Sequence, residues 1–70
     1  MKMRDALREM KKIAGDNAEV SAHYGRTKRD RAVQVWCCHP EVAKYICGEF
    51  IRKFGGSPTY VAGFVCVWLP

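Results

Sequence analysis

Two runs of alternating polarity, AEVSAHY at residues 18–24 and AVQVWCC at residues 32–38, flank a polar segment opened by Gly25. Side chains two apart on a strand share a face. Val20, Ala22 and Tyr24 therefore lie on one side of the first run, and Glu19, Ser21 and His23 on the other. In the second run Val33, Val35 and Cys37 oppose Gln34, Trp36 and Cys38. Two such runs joined by a short Gly-containing loop predict a β-hairpin. The segment between them, GRTKRDR, sets Arg26, Lys28, Arg29 and Arg31 against Asp30 alone, so the tip of the hairpin carries a net charge of +3.

The flanking sequence has helical period. Met3, Ala6, Leu7, Met10, Ile13 and Ala14 recur three and four apart, which predicts an amphipathic helix over 2–14 ended by Gly15. Pro40 suits the first residue of a second helix, with His39 at the cap position. Val42, Ala43, Ile46, Cys47, Phe50, Ile51 and Phe54 form its apolar stripe, and GGSP at 55–58 ends it. The remaining TYVAGFVCVWLP reads as one strand running to residue 70, with Tyr60, Ala62, Phe64, Cys66 and Trp68 on one side. The expected fold is a single α+β domain over 1–70, ordered α-β-β-α-β: a two-layer arrangement with a three-stranded sheet and both helices packed on one face. A right-handed crossover places the last strand at an edge, beside 18–24 and parallel to 32–38.

Seventy residues close a small core, so stability is marginal and a staple or a partner is valuable. No run reaches the length of a membrane span, and the charged MKMRDALREMKK has no apolar signal-type core; both point to a cytoplasmic chain. Cys37, Cys38, Cys47 and Cys66 lack the paired spacings of a disulfide framework or a zinc site and read as small apolar residues. Cys38, Cys66 and His23 share a predicted face, but nothing in their spacing builds a metal site or a Cys–His nucleophile with an orienting carboxylate. No Gly-rich phosphate loop or carboxylate pair is present. The sequence thus predicts no catalytic residue, no metal and no cofactor.

The net charge of +5 comes from the first helix and the hairpin tip, which favours polyanions or acidic protein surfaces. With both helices on the aliphatic face, the other face exposes Trp36, Tyr60, Phe64 and Trp68, more aromatic surface than an idle monomer carries. The expected function is therefore non-enzymatic binding of an inhibitor or adaptor type. Those four aromatics are the anchors, and Arg26, Lys28, Arg29 and Arg31 form a steering rim. The partner is a protein or nucleoprotein complex. A short basic chain without motifs suits a phage- or mobile-element protein that blocks a host nucleic-acid-handling or defence complex. The alternative is single-stranded RNA or DNA, with bases stacked on the sheet and phosphates on the loop. A second copy of the chain is the third candidate partner for the same face.

Overall fold

The structure, a computed structural model, describes residues 1–27, 29–61 and 63–70. The element order is α1 (Met3–Ala14), β1 (Glu19–Tyr24), β2 (Arg31–Trp36), α2 (Pro40–Phe54), β3 (Ser57–Val61) and β4 (Phe64–Trp68). The α+β class holds. The sheet, however, has four strands in the order β1-β2-β4-β3, antiparallel throughout.

Helix and hairpin boundaries follow local chemistry. Gly15, at φ 57°, ends α1 and donates its N–H to the Lys11 carbonyl at 2.9 Å. His39 is the N-cap of α2 with Pro40 in its first turn, where a missing N–H costs nothing. The first hairpin pairs Tyr24 with Arg31, so Arg31 belongs to β2 and the loop shrinks to 25–30. The second strand also stops earlier than its alternation suggests, at Trp36, leaving Cys37 and Cys38 in the turn before α2.

The C-terminal run is the main correction. It is a tight hairpin, with Val61 directly opposite Phe64 and only two residues between them. One of these, Gly63, has φ 91°. An uninterrupted strand would also have exceeded the usual strand length. The turn shifts the side-chain phase, so Tyr60 pairs with Val65 and faces the helices, opposite to the expected side. It also moves the final strand from the edge to the interior. β4 lies between β2 and β3 and runs antiparallel to β2; it neither pairs with β1 nor parallels β2. The exposed edges are β1 and β3.

One cluster forms the core. Ala6, Met10 and Ala14 of α1 and Ala43, Ile46, Cys47 and Phe50 of α2 close over Val33, Val35, Val65 and Val67, which share one face of the sheet. The helix α1 lies over β1 and β2, and α2 over β4 and β2. Gly56 permits the chain to enter β3 close beside the end of β4. A Cβ there would stand 2.7 Å from the Trp68 carbonyl oxygen, and its φ is 115°.

Candidate functional site

The face of the sheet turned from the helices is a small lattice fixed by strand register. One end holds Glu19, Trp36, Phe64 and Val61 in a cross-strand row, and the middle row is Ser21, Gln34, Cys66 and Thr59. The row nearest the 25–30 loop is His23, Ala32, Trp68 and Ser57. Among the described residues no element packs against this side. Ala32 and Cys66 are nevertheless buried, because each sits beside the large side chains of the face. Trp36 is 45% exposed, and its indole runs past the β3–β4 turn, close to Gly63.

Three of the four expected aromatics therefore meet here: Trp36 and Phe64 directly opposite each other, with Trp68 at the other end of β4. Along a strand, four residues span about 13 Å, so the two tryptophans are well separated. Tyr60 is absent from the face; it lies on the helix side, 61% exposed, with Lys44 Nζ 5.3 Å from its ring centroid.

The cationic rim is also redistributed. Arg26 and Arg29 are exposed in the loop, at the Trp68 end of the face, while Arg31 is half-buried in β2 on the helix side. Lys28 lies outside the described residues. The Trp36 end is acidic instead: Glu19 is directly opposite Trp36, and Asp16 and Glu19 border the hollow it shares with Cys38 and His39. The face thus has a polarity that the sequence did not reveal, basic at one end and acidic at the other.

Two residues outside the expected set hold Trp68. Thr59 accepts a hydrogen bond from its indole, and the His23 ring meets it edge-on at a centroid distance of 5.7 Å. His23 was legible from alternation, but Thr59 becomes its neighbour only through the β3–β4 turn.

The cysteines differ in exposure. Burial, and secondarily the nearby Cys66, pushes the Cys47 thiol up to about 11, and burial pushes Cys66 up as well. Both remain thiols at neutral pH and are poor nucleophiles. Cys38 is exposed in the turn after β2, about six strand residues from the His23 row, so Cys38, Cys66 and His23 do not converge. Among the described residues no three His, Cys, Asp or Glu side chains gather closely enough to hold a metal ion. No described helix is long and apolar enough to cross a membrane. Comparison with family models, curated proteins and solved structures finds no match for this chain.

Proposed function

We propose that the protein is a non-enzymatic binding protein of the inhibitor or adaptor type that docks its uncovered sheet face on a protein partner. The observation that carries this reading is the row Trp36–Phe64 on a face no element covers, with Trp36 nearly half exposed at the end of an internal strand. Large aromatics in such a position are characteristic anchors. The partner we infer is a nucleic-acid-handling protein or complex, approached through the basic loop Arg26–Arg29 at the other end. A phage or mobile-element origin fits the size and charge.

Single-stranded nucleic acid is the weaker occupant of the same face. Glu19 stands directly opposite Trp36, the exposed aromatic of this face, and would oppose a phosphate there, while the loop cations lie at the far end.

The test is capture of a partner from the source cell with the wild-type chain, followed by titration of the purified partner. Trp36→Ala is expected to weaken binding by about 2 kcal/mol or more if it is a hot spot. Unchanged affinity of a folded Trp36→Ala, Phe64→Ala double variant refutes the anchor assignment. Tight binding of plain oligothymidylate, lost in the same variant, would transfer the face to nucleic acid. Sedimentation equilibrium separates both from pairing of two copies.

A further inference from the structure

The strand β1 ends the sheet, and among the described residues no strand pairs with its outer backbone. Gly25 N–H bonds the Asp30 carbonyl, and the Arg31 carbonyl turns away from β1 to accept from Leu69 N–H at 2.8 Å. Antiparallel ladders alternate bonded and non-bonded pairs. The N–H and C=O groups of Val20, Ala22 and Tyr24 therefore point outward, and among the described residues nothing bonds them. The opposite edge, β3, is blunted by Pro58, whereas β1 has neither proline nor bulge.

Alongside this edge lies a groove lined by Met3, Leu7 and Tyr24 together with Arg4, Arg8, Lys11 and Lys12 of α1. No acidic side chain lines it. Glu9 lies toward the other flank, where with Lys12 and Ile13 it meets Tyr45 and Glu49 of α2, and it reaches Arg8 only at 3.9 Å. Arg8 is bonded to Asp5 at 3.1 Å and Lys12 to Glu9 at 3.3 Å, but among the described residues Arg4 and Lys11 make no ion pair.

We propose that the β1 edge, with the cationic flank of α1 beside it, takes an extended acidic segment of a partner protein as an added strand. Strand addition satisfies the outward donors and acceptors together, and alternate side chains of the guest fall on the helix side. There, its carboxylates meet Arg4 and Lys11 beside the apolar floor of Met3, Leu7 and Tyr24. A nucleic acid fits less well, because phosphates accept hydrogen bonds but cannot donate to the free carbonyls. A second copy fits worst. Joining two β1 edges about a twofold axis sets two α1 flanks side by side, cation against cation. This site shares no side chain with the aromatic face and does not depend on that assignment.

The experiment uses a capped peptide alternating Glu with Val, its Lys–Val counterpart, and oligothymidylate, each titrated against the full chain. The Glu peptide is expected to bind and the Lys peptide not. Binding should fall at least about tenfold in an Arg4→Glu, Lys11→Glu variant. Ala22→Pro, which removes an outward N–H that no ladder bond uses, should abolish it. Backbone amides of Val20, Ala22 and Tyr24 should gain hydrogen-exchange protection in the wild-type complex, a readout independent of whether the proline variant folds. The Trp36→Ala, Phe64→Ala variant should bind the Glu peptide as wild type does. Equal binding of the two peptides, or no protection at those amides, overturns the proposal. So does loss of peptide binding in the aromatic variant. Oligothymidylate binding in place of the Glu peptide would make the flank a phosphate grip and overturn it too.

Discussion

The Trp68 indole donates a 2.9 Å hydrogen bond to the Thr59 hydroxyl, reaching diagonally from β4 to β3. This bond, with the His23 ring on its other side, holds Trp68 down on the sheet, over Ala32 and beside Cys66. Among the described residues Trp36 makes no such hydrogen bond or ring contact. The two tryptophans therefore divide the work of the face, Trp68 supporting the fold and Trp36 presenting itself. Thr59→Val should cost about 0.5–1.5 kcal/mol in denaturant titration, the usual net worth of one hydrogen bond. Trp36→Ala should cost less stability than Trp68→Ala. The reverse order would mean that Trp36 is the structural one.

Two glycines should respond oppositely to a methyl group. Gly48 is exposed in the interior of α2 with nothing near its missing Cβ. Gly48→Ala should stabilise the chain by about 0.5–1 kcal/mol through helix propensity. Gly56→Ala forces a positive φ on alanine and meets the Trp68 carbonyl, and should destabilise by about 1–3 kcal/mol. Thermal melts of the pair decide it, and a stabilised Gly56→Ala would contradict the tight β3–β4 entry.

Alkaline stability should carry the signature of Cys47. The folded state holds its thiol protonated up to about 11, against an ordinary 9.0. Because the folded value is raised, the contribution is complete below pH 9.0 and is lost as pH climbs toward 11. The slope is about 1.4 kcal/mol per pH unit at most. Cys47→Ala should flatten that part of the profile. An unchanged slope would show that the thiol is not shielded.

Thiol chemistry should sort the cysteines by burial. Cys38 is exposed, while Cys37, Cys47 and Cys66 are buried. Iodoacetamide at neutral pH should modify Cys38 first and reach the other three only after denaturation. Simultaneous modification of all four would mean the core opens readily.

Removing residues 66–70 should abolish folding. They supply Cys66, Val67 and Trp68 of an internal strand bonded on both sides, together with Leu69, whose N–H reaches Arg31. Circular dichroism of the truncated chain measures this, and a folded product would be incompatible with β4 lying between β2 and β3.

Most of the skeleton was legible because it depends on local pattern. Alternation placed β1 and β2, three- and four-residue recurrence placed both helices, and Gly15 and Pro40 marked their limits within a residue. The C-terminal hairpin was not legible in the same way. Tyr60–Val61 runs into an arm, β4, that is apolar on both sides, so periodicity shows no break at the turn, and Gly63 was the one residue hinting at it. That single missed turn displaced Tyr60 to the other face, hid Thr59 as the partner of Trp68 and put the final strand at an edge instead of inside the sheet. Trp36, Phe64 and Trp68 lie on the expected face because that placement follows from strand parity, which the turn left untouched. The separation of charge, with Glu19 beside Trp36 and the free cations beside β1, depends on which strands are neighbours and could not be read before the pairing was known.

Of the three strand pairings, two join segments adjacent in sequence: β1 with β2, and β3 with β4. Only β2 with β4 brings together distant parts of the chain, across the whole of α2. Closing that seam carries the largest loop-entropy cost and sets the folding speed. Each hairpin can form early, but neither is stable alone. Shaving Val35 or Val65, which face each other across the seam, should slow refolding, whereas changes at the β3 edge should mainly hasten unfolding. Kinetics insensitive to Val35→Ala and Val65→Ala would place the nucleus elsewhere. The protein is in this sense two local hairpins that become one domain at a single line of valines.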